Sequence, residues 1–243
     1  MQAFKRIIKI KNYFAEVLLM TKFADLKGFI FDLDGVITGT AKYHGQAWHQ
    51  LADELGVTWT EELANGLKGV SRMDSLEMIL KAGGKENDYT PEEKVAYATK
   101  KNDNYLSLIK NMTPNDVFPG IKEFLDDLIA NGYQISLASA SKNAPTILGH
   151  IGLSDYFTKI VDPATLSKGK PDPEIYTRGA EILGLDPSVC AGVEDAAAGV
   201  ASINAANETS IGIGDKQELS AANVIFADTS ALTLDNIKAQ MDN

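Results

Sequence analysis

Four short apolar runs in this chain each break off at polar residues, with helical stretches between them. No other feature restricts the fold as much. Gly28-Phe29-Ile30-Phe31 empties into Asp32-Leu33-Asp34-Gly35, and the run from Tyr133 to Ala138 stops at Ser139-Ala140-Ser141. Val189 to Val193 stops at Glu194-Asp195, and Thr209 to Ile213 at Gly214-Asp215. Runs of this length, bounded by turn residues, predict buried strands. Helical patterns over 121–130, 144–151, 174–183 and 196–206 fill the intervals. Such alternation specifies an α/β fold, with a Rossmann-like parallel sheet as core and helices on both faces.

One interval breaks the rhythm. From about Ala41 to Met112 the patterning is helical only, with amphipathic stretches over Tyr43–Leu55, Ser71–Leu80 and Pro91–Ile109. Thr90-Pro91-Glu92-Glu93 supplies a cap and first turn for the last of these. The reading is an inserted α-helical cap domain over 40–113, within a catalytic core made of 26–39 and 114–243. The crossings near Ile37–Thr40 and Thr113–Pro119 are the natural hinges. Residues 1–25 are expected to be an extension outside the fold, with Met20 as an alternative start. The first 27 residues carry a net charge of +4, against −14 for the rest of the chain.

The overall charge of −10 argues against nucleic-acid binding, which needs a cationic face. A single cysteine, Cys190, excludes an intrachain disulfide framework and reads as a buried, inert thiol. No apolar run reaches the roughly 20 residues of a membrane span. The expectation is a cytoplasmic, monomeric protein with no membrane or nucleic-acid partner.

Ligands of open parallel sheets bind outside the carboxyl ends of the strands. There the sequence assembles Asp32, Asp34, Glu194 and Asp195, the hydroxyl of Ser139, and Lys170 in the loop 168–173. Clustered carboxylates suit a hard cation such as Mg²⁺, and a lysine supplies a point charge to phosphate. The set fits phosphoryl transfer through a carboxylate nucleophile, with a second acid two residues on to protonate the leaving oxygen. Simpler roles exist for the same residues. Asp32 and Asp34 could cap a turn, Glu194-Asp195 could favour a helix N-terminus, and Arg72 could be a solvated charge.

Phe31-Asp32-Leu33-Asp34-Gly35-Val36-Ile37, the Ser139 strand end, Lys170-Pro171 and Gly192-Val193-Glu194-Asp195 resemble, in order, the four signature motifs of the haloacid dehalogenase superfamily. Within it the chain is similar to the β-phosphoglucomutases. Thr40-Ala41-Lys42-Tyr43-His44 with Trp48, Lys68-Gly69-Val70-Ser71-Arg72, Lys101-Asn102-Asp103-Asn104-Tyr105 and Leu137–Asn143 carry that likeness.

The resemblance implies that Asp32 is the nucleophile and Asp34 the general acid/base. Mg²⁺ would be held by Asp32, the Asp34 main-chain carbonyl, Glu194 and Asp195. Ser139, with Ala140 beside it, and Lys170 would grip the transferring phosphoryl group. Arg72, with Ser141 and Asn143, would hold the phosphate that does not react. Thr40 and His44 would position the acid/base, while Lys68, Gly69, Val70 and Ser71 of the cap loop, and Lys101, would face the sugar. The implied reaction converts β-glucose 1-phosphate to glucose 6-phosphate through β-glucose 1,6-bisphosphate. Gly39 departs from the acidic residue many relatives carry, which bears on hinge stiffness. The alternatives are a sugar phosphatase of the same superfamily and a non-catalytic phosphosugar-binding protein.

Overall fold

A computed structural model describes residues 22–242. The basic segment before residue 22 therefore lies outside the described residues, as does the alternative start at Met20. Phe23, placed by the sequence reading in the extension, packs partly buried against the main core.

Five parallel strands form one sheet: β1 (Gly28–Phe31), β2 (Gln134–Leu137), β3 (Cys190–Glu194), β4 (Thr209–Ile213) and β5 (Val224–Phe226). Their order is β2-β1-β3-β4-β5, with β1 in the interior between β2 and β3. Successive side chains on a strand face opposite ways. Phe29 and Phe31 accordingly join one core cluster, while Ile30 joins a second on the other face. The first cluster takes in α5 (Ile121–Ala130) and α6 (Ala144–Ile151); Phe29 meets the Phe124 ring edge-on at 5.6 Å. The second takes in α7 (Glu174–Leu183) and α8 (Ala197–Ala205) through Tyr176, Ala180 and Ile203. A final helix, α9 (Leu234–Met241), adds Ile237 to the first.

The cap consists of α1 (Ala41–Glu54), α2 (Glu61–Gly66), α3 (Arg72–Ala82) and α4 (Pro91–Ile109). At α4 the Thr90 hydroxyl accepts from the Glu93 amide at 3.2 Å, and the Glu93 carboxylate accepts from the Thr90 amide at 2.8 Å. That reciprocal cap, followed by Pro91, starts the helix where the sequence placed it. Trp48, Leu51, Leu76, Ile79, Leu80 and Ala98 form the cap's own core. Ala47 on α1 and Tyr105 and Ile109 on α4 belong instead to the sheet's core, so both helices are rooted in it at one end. The two crossings between sheet and cap touch each other: the Phe118 amide donates to the Ile37 carbonyl at 2.9 Å, and Gly39 lies beside the Phe118 ring.

Three of the strands and α-helices carry no clear signal in the sequence. β5 is three residues long and α2 six, too short for periodicity to separate from a loop. α9 carries only one fully buried residue, Ile237, which leaves its apolar face faint.

Candidate active site

The carboxyl ends of β1, β2 and β3 meet beneath the cap. Asp32 follows β1 directly, and its amide donates to the Val193 carbonyl at 3.0 Å, which fixes it next to the end of β3. Lys170 Nζ, with no side-chain exposure, reaches Asp32 Oδ1 at 2.7 Å and also bonds Glu194 Oε1. The other Glu194 oxygen accepts from the amides of Asp195 and Ala196 at 2.9 and 3.0 Å, which fixes the side chain against the chain leading into α8. Glycine is required twice around these acids. A Cβ on Gly35, at φ +86°, would lie 1.9 Å from Asp195 Oδ2, and one on Gly199 would lie 1.9 Å from Glu194.

Asp32, Glu194 and Asp195 bring carboxylate oxygens within 4.8 Å of one another. Burial pushes the Asp32 carboxyl well above its ordinary range; Lys170 pulls it back, and Glu194 and Asp34 add to the rise. Burial, with Glu194 second, raises Asp195 to about 7. Burial opposes the charge on Lys170, but Asp32 and Glu194 together raise its pKa. Three buried or half-buried acids thus share one ammonium. An all-oxygen, charge-deficient donor set of this kind fits a hard divalent cation.

Asp34 is held differently. Its Oδ1 accepts from the Thr40 hydroxyl at the start of the cap, and His44 Nε2 approaches its Oδ2 at 3.7 Å. His44 stacks on Tyr105, with ring centroids 3.9 Å apart, and its Nδ1 lies 2.7 Å from Lys101 Nζ. Burial pulls His44 down to about 4, so the imidazole is neutral near pH 7. An ammonium donating to Nδ1 leaves the ring proton on Nε2, facing Asp34. Burial, with Arg72 second, lowers Lys101 to about 7, and the ammonium sits 4.5 Å over the Trp48 ring.

A cleft of about 720 Å³ opens between sheet and cap. Asp32, Asp34 and Asp195 line its floor, and Lys68, Arg72 and Lys101 line it from the cap. Gly69, Val70 and Ser71 of the cap loop face it, as do Ala140 and Ser141 after β2. Gly69, at φ +70°, brings that loop down to Lys170 and Ala196; a Cβ there would be 3.8 Å from Lys170 Cδ. Ser139 is buried, its hydroxyl accepting from the Ser141 amide at 3.1 Å. Arg72 Nη2 and Asn143 Nδ2 both donate to Asn102 Oδ1. Lys42 and Lys142 also line the cleft, giving it five basic side chains against three acids in a chain of net charge −10. Lys42, Asn102 and Gly199 had no role in the sequence reading. Lys42 and Asn102 stand in strings read for their neighbours Thr40, His44 and Lys101; Gly199 carried no signal.

The family described as haloacid dehalogenase-like hydrolase matches residues 26–207. A β-phosphoglucomutase of Bacillus subtilis is 44% identical over 210 residues, covering 86% of this chain and 93% of that protein. A phosphorylated carbohydrates phosphatase of Thermotoga maritima is 27% identical, covering 74% and 82%. A crystal structure of β-phosphoglucomutase from Clostridium difficile superimposes with a TM-score of 0.87 at 44% identity, covering 89% of this chain and 97% of that one.

Proposed function

The chain belongs to the haloacid dehalogenase-like hydrolase family, and on that premise we propose that it is a β-phosphoglucomutase, interconverting β-glucose 1-phosphate and glucose 6-phosphate. The observation that carries this reading is a cleft with two anion poles. Asp32 lines it with Lys170 bonded to its carboxylate, and Arg72 lines it from the cap, sharing the acceptor Asn102 with Asn143. A phosphatase needs only the first pole. A mutase must hold a bisphosphate in either of two orientations, and the second pole grips whichever phosphate is not reacting. A mere binder has no use for a nucleophile with an acid two residues away.

Asp32, Glu194, Asp195 and the Asp34 main-chain carbonyl would hold Mg²⁺, which supplies positive charge to the phosphoryl oxygens. The Asp32 carboxylate attacks phosphorus, forming an aspartyl O–P bond as the bond to the sugar oxygen breaks. Asp34 gives its proton to that leaving oxygen. That half-reaction acts on the C1 phosphate of β-glucose 1,6-bisphosphate and releases glucose 6-phosphate; in the other, the 6-hydroxyl of an incoming β-glucose 1-phosphate attacks the aspartyl phosphate, Asp34 taking its proton, and the bisphosphate is re-formed. Lys170 and Ser139 steady the transferring group. Thr40, at the start of the cap, donates to Asp34, so a movement of the cap about that crossing would change how the acid/base is held. Lys68, Gly69, Val70, Ser71 and Lys101 shape the sugar site between the poles, and β-glucose 1,6-bisphosphate is the species that turns over within it.

The test supplies Mg²⁺, β-glucose 1-phosphate and a trace of the bisphosphate, and follows glucose 6-phosphate and free phosphate together. Isomerisation with little free phosphate is the expected result. Dominant phosphate release would make the protein a phosphatase, and neither product would make it a binder.

A further inference from the structure

We propose that Asn102 is a positioning residue that latches the cap to the core at the second anion pole while leaving the charge of Arg72 unspent. The inference rests on the mutase reading above. The Asn102 carboxamide oxygen accepts from Arg72 Nη2 at 2.7 Å and from Asn143 Nδ2 at 2.8 Å. Arg72 opens α3 of the cap, whereas Asn143 precedes α6 of the core. One oxygen thereby joins the two halves of the molecule. Its own position is fixed from below, because Asn102 follows Lys101, the buried lysine of α4.

The chemistry of an amide oxygen suits this place. Its two lone pairs match two N–H donors. It carries no net charge, so it aims the guanidinium without neutralising it. A carboxylate would hold the same two donors more strongly and would form an ion pair with Arg72, cancelling the positive charge that a second phosphate needs. An apolar residue would free both donors and release the cap. Of the three side chains, Arg72 lines the cleft. Asn102 thus acts through the two side chains that donate to it, Arg72 and Asn143.

Two variants separate the latch from the charge. Asn102→Ala removes the acceptor; Asn102→Asp keeps it and adds a negative charge. The first readout is amide hydrogen exchange in the ligand-free protein at the crossings 37–40 and 113–119, where closure is felt. The second is KM and kcat for β-glucose 1-phosphate with Mg²⁺ and the bisphosphate. In Asn102→Ala, exchange at the crossings should rise several-fold and KM at least tenfold, with kcat changed less. In Asn102→Asp, exchange should return close to the parent level while KM stays at least tenfold high. Parent-like exchange in Asn102→Ala would overturn the latch, and a parent-like KM in Asn102→Asp would overturn the charge argument. If the parent protein itself fails to isomerise the sugar phosphate, the mutase reading falls. Inorganic phosphate titrated against the three Mg²⁺-loaded proteins then replaces KM, with the same order of affinities expected and equal affinities overturning it.

Discussion

The carboxyl group of Glu194 occupies the space in which Gly199 would carry a side chain, a Cβ there lying 1.9 Å from Glu194 Cδ and Oε1. Gly199 is in the first turn of α8, and Glu194 folds back over that turn to accept from the Asp195 and Ala196 amides. A single methyl group must therefore push Glu194 off Lys170 or push α8 off the sheet. Forcing an extra carbon into a packed site costs about 1–3 kcal/mol. Gly199→Ala should lower Mg²⁺ affinity at least tenfold by calorimetric titration, with turnover falling alongside. Unchanged Mg²⁺ affinity would show that Glu194 has room to move and is not tied to this glycine.

Among the described residues Lys101 forms no ion pair with an acid; its polar partner is His44 Nδ1 at 2.7 Å. Its role is then to fix the imidazole tautomer that faces Asp34. Lys101→Met keeps the volume and the contact with Trp48 and Tyr105 while removing the donor. Turnover should drop by about 10²-fold, within the range of general acid–base contributions. Mg²⁺ affinity should hold, because Lys101 does not touch Asp32, Glu194 or Asp195. Thermal stability should not fall, since a desolvated ammonium is lost. A native rate in Lys101→Met would remove this lysine from the acid/base assembly.

How much of this was legible beforehand differs by residue. The strand ends Asp32, Ser139 and Glu194 were readable because a short apolar run that stops at a polar group leaves few other foldings. The helical cap was readable for a related reason, since Thr90-Pro91-Glu92-Glu93 carries its own start signal. What stayed hidden depends on contacts between distant segments. Asn102 matters through Arg72, thirty positions away, and Asn143, forty-one away. Gly199 resembles any small residue in the alanine-rich stretch 196–201 until Glu194 is seen lying over it. Phe23 had looked like part of a basic extension, and only the packed core reveals it as an anchor.

Asp34 and Thr40 allow the acid/base role to be separated from architecture. Thr40 donates its hydroxyl to Asp34 Oδ1, and an asparagine could present an oxygen at the same place. Asp34→Asn should therefore keep the fold, the cap position and Mg²⁺ binding, the last through the main-chain carbonyl. Only proton transfer is lost, which predicts a fall in turnover of about 10²–10⁴-fold. Rapid-quench measurement with the bisphosphate as phosphoryl donor checks this. An aspartyl phosphate that forms and decays at the parent rate in Asp34→Asn would transfer the acid/base role to another group.

Glu208 is a buried acid that the reaction does not use. It precedes β4 and sits close to Cys190 on β3, and neither carboxyl oxygen has a hydrogen-bond partner among the described residues. Burial raises its pKa well above 4.5. The folded protein thus keeps the Glu208 proton at pH values where the unfolded chain has released it. Below about pH 4.5 both states are protonated and Glu208 costs nothing by this route. As pH rises toward the folded-state pKa, the unfolded state gains relative to the folded one by up to about 1.4 kcal/mol per pH unit. Glu208→Gln removes the titration while keeping the shape, although its buried amide is also unpaired, so the sign of the offset at any one pH is uninformative. The slope is what counts. In urea unfolding from about pH 5 to about pH 8, the variant should gain stability steadily over the parent as pH increases. Asp32, Asp195 and the other acids titrate in both proteins and cancel in the difference. Parallel stability curves for the two proteins would mean that Glu208 is ionised and paired in the folded state.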